Sequence, residues 1–199
     1  MSLYDGFSAK RVVRVGDSPT RLESTVRPCP PTAFLGLRRM VSTDDWDSIR
    51  RASYRLAGYS CQVCGGRGDD WPVAAKVLWE YDSSTSDEHG YGVQRLEGVA
   101  SLCPTCLDAL SRVDDYLRYG IGRGVDEAVG LLAEAAGRDF EDLAREVEAL
   151  EDETLRLAEL PWAVDLSPLE GMPGYCRVPE VTDTSVTVWH GGGVVTGGV

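Results

Sequence analysis

Cys61-Gln62-Val63-Cys64-Gly65-Gly66 and, farther along, Cys103-Pro104-Thr105-Cys106 decide how this chain is read. Two cysteines separated by two residues reach one metal ion when the backbone between them turns tightly, and the glycines behind the first pair supply positive φ without steric cost. The two pairs together predict a tetrahedral set of four thiolates, Cys61, Cys64, Cys103 and Cys106, around a single Zn2+. Four protein ligands leave no open position for water, so the predicted ion is structural. The second pair sits where a helix should begin, and the positive end of the helix dipole favours thiolate at Cys103 and Cys106. The remaining cysteines, Cys29 and Cys176, lie in Pro- and Gly-rich stretches and read as free thiols.

Working outward, a helix should open at Ser42 or Thr43, where Thr43-Asp44-Asp45 places a cap and carboxylates at the positive end of the dipole. Trp46, Ile49, Ala52 or Ser53, and Leu56 form its apolar stripe, and Gly58 ends it. Between the cysteine pairs, residues 71–79 and 94–102 read as the strands of a hairpin, joined by a polar loop over 83–92. A helix over 104–119 carries Leu107, Leu110, Val113 and Leu117 on one face. Two more follow, over 125–136 and 139–160, the latter with Phe140, Leu143, Val147, Leu150 and Leu157 inward. Residues 162–166 read as a strand or clasp docking on the body, 182–189 have strong β-propensity, and the Gly-rich end from 191 reads as mobile. Trp46, Trp79, Leu102, Leu107 and Leu110 are expected to be buried.

Several of these elements resemble a known family. Trp46, Ile49-Arg50, Ala57-Gly58-Tyr59 with the first cysteine pair, Trp79-Glu80-Tyr81-Asp82, Gln94, Leu96, Gly98, Leu102 with the second pair, and Trp162, Val164-Asp165-Leu166-Ser167 look like HNH-endonuclease-type zinc proteins of bacteria and phages. The resemblance spans roughly residues 35–169. It implies an α+β fold: a treble-clef, HNH-like ββα core around a four-cysteine zinc site, with additional α-helices and extended terminal segments. It also implies histidines that are missing. The family's water-activating histidine falls on Lys76, and the two that follow the second cysteine pair fall on Leu107 and Ser111. Phosphodiester cleavage needs a base and a divalent cation. Lys76 is ordinarily protonated, and Leu107 ligates nothing. Glu80 and Asp82 then read as structural, paired with arginines such as Arg95. A rebuilt site of Lys76, Glu80 and His89 is the least favoured reading. His190 is the only other histidine.

The net charge of −12 is unevenly spread. Residues 1–60 carry ten Lys/Arg against six Asp/Glu; residues 61–199 carry ten against twenty-six. Twelve acidic and three basic residues lie between Asp126 and Glu159. Such a surface repels phosphates. The division expected is an extended N-terminal arm over 1–32, the zinc core over 33–120, a helical extension with its clasp over 121–169, and a β and Gly-rich tail over 170–199. The favoured function is a catalytically inactive, HNH-like zinc protein acting through protein–protein interaction, as a phage-encoded inhibitor or assembly factor with an acidic surface. Its protein partner is not named by the sequence. The alternatives are a non-catalytic DNA-binding module using Lys10, Arg11, Arg14, Arg38, Arg39, Arg50, Arg51 and Arg55, or a residual nuclease. Lys10, Arg11, Arg14, Arg21 and Arg27 of the arm could contact an acidic partner, but the arm reads at least as well as a solvated tail. No apolar run approaches the ~20 residues of a membrane span, and the N-terminus has no secretory pattern. The expected location is the cytoplasm, that of the host if the chain is phage-encoded.

Overall fold

The computed structural model describes residues 26–34, 36–66, 73–190 and 193–196. Of the basic arm, Lys10, Arg11, Arg14 and Arg21 therefore lie outside the described residues. Its last part is packed rather than solvated. Val26 and Cys29 are buried, Thr32 Oγ1 donates to the Leu160 carbonyl at 2.9 Å, and Arg27 bonds both carboxylate oxygens of Glu97.

A short helix, α1 (Leu37–Met40), precedes α2 (Thr43–Leu56). Ser42 caps α2, its Oγ accepting from the Asp45 N–H at 3.1 Å, with Asp44 and Asp45 in the first turn. Gly58 and Tyr59 then take φ of 59° and 57°, and this pair of left-handed residues turns the chain toward Cys61. Only the glycine does so without steric cost.

The hairpin is made of β1 (Ala74–Asp82) and β2 (Gly92–Leu102), antiparallel from Ala74↔Leu102 to Asp82↔Val93. Of the expected first strand, Trp71 and Pro72 fall outside the described residues. The loop expected over 83–92 contains a helical turn, α3 (Ser86–His89). The register shifts where Leu78 faces Gly98 and Trp79 faces Leu96, so Glu97 is the extra residue of a bulge,. Alternation along β1 sends Lys76 and Leu78 to one face and Val77, Trp79 and Tyr81 to the other.

Three helices follow: α4 (Pro104–Tyr119), α5 (Val125–Ala136) and α6 (Phe140–Leu157). Pro104 opens α4 at the position where a missing N–H costs nothing,. Asp139 caps α6 by accepting from Glu141 N and Asp142 N. The third helix is thus shorter at both ends than the sequence pattern suggested. Phe140, expected inside, is 40 % exposed.

The three helices form the crossover from β2 to β3 (Trp162–Asp165), which lies parallel to β2. A 3-10 turn (Ser167–Gly171) leads on to β4 (Thr187–His190), parallel to β3 at Val164↔Val188. The Gly-rich end, expected to be mobile, instead supplies β5 (Gly193–Thr196), which pairs antiparallel to β4. One sheet in the order β1-β2-β3-β4-β5 results. Among the described residues this mixed α+β architecture has two main cores and a smaller cluster of Ala33, Leu157 and Trp162. Leu78, Leu102, Leu110, Val113, Leu132 and Leu143 pack with α4, α5 and α6, and Cys61 and Val63 join them. Leu37, Ile49, Trp79, Leu96, Val164 and Leu169 form the other with α1, α2 and the 3-10 turn. Trp79, Leu102 and Leu110 are buried as expected, whereas Trp46 and Leu107 are only half-buried. Among the described residues no helix is long and apolar enough to cross a membrane.

Arg95 does stand opposite Glu80 in the hairpin register, but its guanidinium bonds Asp165 of the parallel strand, Nε to Oδ2 at 3.0 Å. Asp82 accepts from the N–H and hydroxyl of Ser84. Burial tends to raise the Asp165 carboxyl, but hydrogen bonds from Ser167 and Arg95 outweigh it and hold the group below the ordinary carboxylate range,.

Gly92 starts β2 against the face of Trp162. A Cβ there would stand 2.5 Å from a ring carbon. The ring cannot easily yield, being 2 % exposed, bonded through its Nε1 to Thr32 and edge-on to Tyr81. Gly92→Ala is expected to cost about 1–3 kcal/mol as overpacking. Thermal unfolding should shift down by about 2–4 °C for each kcal/mol at this chain length. An unchanged melting temperature would show that the ring has room to move.

Candidate metal centre

Each cysteine pair is held by a different local device. Cys61 follows the left-handed turn after α2, and its N–H donates to the Gly66 carbonyl at 2.8 Å while Gly65 N–H returns to the Cys61 carbonyl at 2.8 Å. Gly65 has φ of 76°, which allows that tight loop,. Gln62 clamps the loop to the hairpin: its N–H donates to Ser101 O at 2.9 Å, and its Oε1 accepts from Ser101 N at 2.8 Å. Cys103 is the N-cap of α4, and Cys106 lies in its first turn. The end of β2 and the start of α4 therefore bring the second pair up against the first.

The four Sγ atoms lie within 4.8 Å of one another. Cys64 Sγ and Cys103 Sγ are 3.8 Å apart. A tetrahedral ion with Zn–S bonds of about 2.3 Å requires sulfurs about 3.8 Å apart, whereas a disulfide requires about 2.05 Å. None of the six cysteines is in a disulfide. Cys61 is drawn down to about 4, first by the Cys106 thiol and then by the N–H groups of Cys103, Cys64 and Val63. The same contact pushes Cys106 up, and burial raises Cys64. A cation at the centre would favour the thiolate form of all four. The donor set thus fits a metal ion.

Cys29 and Cys176 stand apart from this cluster. Cys29 is buried, and burial, followed by the nearby Asp114 carboxylate, pushes its thiol up to about 11. Cys176 is exposed, with φ of 55° and its thiol on the Met172 carbonyl at 3.2 Å.

Farther along α4, a polar pair joins the helix to β1. Lys76 donates to Asp114 Oδ2 in an ion pair whose side chains are 22 % and 19 % exposed. Burial raises the Asp114 carboxyl, with Lys76 and Arg118 drawing it back. Ser111 Oγ donates to the Leu107 carbonyl at 2.8 Å within α4. Asp114 escaped the sequence reading, yet its spacing carried a signal: Leu107, Ser111 and Asp114 recur at i, i+4 and i+7, one face of a helix. Glu80 is exposed on the strand. The His89 side chain lies outside the described residues. No protein-family model matches the chain, and neither a curated protein nor a solved structure matches it.

Proposed function

We propose that the chain is a catalytically inactive, HNH-like protein that holds one structural Zn2+ on Cys61, Cys64, Cys103 and Cys106 and acts by binding another protein. The observation that carries this reading is the Lys76–Asp114 ion pair. An ammonium committed to a carboxylate is not a base, and this pair joins β1 to α4. The treble-clef identity is supported by the order of parts: a cysteine loop, an antiparallel hairpin, and a second cysteine pair at the start of a helix.

The charge distribution supports a protein partner over nucleic acid. The three arginines of the α5–α6 region bond to acids within it: Arg138 to Glu146, Arg145 to Asp142 and Arg156 to Glu153. The remaining carboxylates leave a strongly acidic face. Of the basic residues offered for DNA contact, Arg50 and Arg51 both pair with Asp47 on their own helix.

Incubation with supercoiled plasmid, linear duplex and single strands, with magnesium, manganese or nickel, should give no cleavage. Cutting that survives further purification and disappears in Lys76→Ala or Glu80→Ala would overturn the reading. The double variant Lys76→His/Leu107→His tests the ancestry, because recovered cutting would mean that only the catalytic groups had been lost.

A further inference from the structure

A groove of about 250 Å3 runs beside β1. Its lining includes all five consecutive residues 75–79. Neighbouring side chains of a strand point to opposite faces, so a cavity touching five in a row lies along the strand's edge. Among the described residues β1 is the end strand of the sheet, with β2 on its other side. An edge of this kind presents backbone N–H and C=O groups to whatever lies alongside. The rest of the lining includes Arg27, Cys29, Arg38, Trp46 and Asp114, of which Asp114 is paired with Lys76 and Arg27 with Glu97. Two features select the occupant. Trp79 is 4 % exposed and lines the groove, and its indole Nε1 is buried without an acceptor. A buried donor left unpaired costs about 1–3 kcal/mol, which a ligand bearing an acceptor would recover. Arg38 is exposed at the rim of the groove, a cation on a chain of net charge −12.

We propose that this groove receives an extended peptide segment of a protein partner, added to β1 as a sixth strand, with an Asp or Glu side chain directed at Trp79 and Arg38. Main-chain hydrogen bonds to an exposed edge supply affinity, and the acidic side chain supplies selectivity. The inference rests on the protein-binding reading above and gives it a site.

The test uses the full chain, labelled with 15N, and a displayed library of random decapeptides. Peptides selected on the wild type should be enriched in Asp and Glu. Synthetic copies should slow amide exchange along residues 74–82 and shift the Trp79 indole N–H resonance, which Trp79→Phe identifies by its loss. Trp79→Phe keeps an aromatic ring and removes the donor, and should weaken binding about tenfold, as should Arg38→Glu. Selected peptides that perturb other surfaces, or a library that yields no enrichment, would overturn the groove. A full-length partner whose binding is unmoved by both variants would also overturn it, while leaving the protein-binding reading intact. Plasmid cleavage, in contrast, removes that reading without touching the peptide result.

Discussion

Cys103→Ser is expected to abolish binding of the proposed zinc and to lower the melting temperature by more than any other substitution considered for this protein. Structural zinc contributes on the order of 10 kcal/mol in small zinc modules, comparable to the whole stability of an ordinary domain. In this fold the loss would strike a junction. Cys103 directly follows β2 and is the N-cap of α4, and Cys61 and Cys106 belong to the core that α4 shares with α5 and α6. Releasing the metal would leave buried thiols crowded within 4.8 Å and the Gln62 clamp as the main tie between the two loops. Elemental analysis should find about one zinc per wild-type chain, and far less in Cys61→Ser or Cys103→Ser. Cys176→Ser is the matched control: its thiol is exposed and away from the cluster, so zinc content and melting temperature should not change. Wild-type protein that is folded, metal-free and equally stable would sink the assignment.

The cysteine spacing made the cluster legible because the chemistry is local: each pair needs only its own turn, and the glycines and proline that build those turns sit next to it. The helix boundaries of α5 were equally open to reading, since Gly124 and Gly137 flank it in the left-handed conformation that stops a helix, with φ of 73° and 66°. What escaped reading depended on pairing across the sequence. The sheet grows beyond the hairpin through parallel partners set by the α4–α6 crossover, and nothing local distinguishes Gly193–Thr196 from a loose end. Phe140 followed the apolar spacing of α6 faithfully, yet it stands in the first turn, at the limit of the packed layer, where its ring rests over Gly130 and stays partly in water. The resemblance pointed to Lys76 as an anomaly but could not supply its partner, which comes from the third turn of α4.

Asp114→Ala is expected to be the second most damaging change, costing about 3 kcal/mol, the lower end of the range for removing one member of a buried ion pair. The lower end applies because both side chains keep about a fifth of their surface exposed. The variant would leave the Lys76 ammonium without its partner and remove the carboxylate that the Arg118 guanidinium also attracts. Lys76→Met should cost less. Asp114 would still face Arg118, and burial already favours its neutral form, so the carboxyl has a second way to avoid an unpaired charge,. The double variant Lys76→Met/Asp114→Leu replaces the pair with apolar side chains and should lie close to wild type, or above it. Urea unfolding of the four proteins gives the coupling free energy directly. Equal losses in Asp114→Ala and the double variant would show that packing at this spot, and not charge pairing, holds β1 to α4. If the coupling is large, β1 is held to α4 by a charge pair that apolar residues could have replaced without loss. Its retention would then be a matter of shape and specificity along β1, the strand whose outer edge lines the peptide groove.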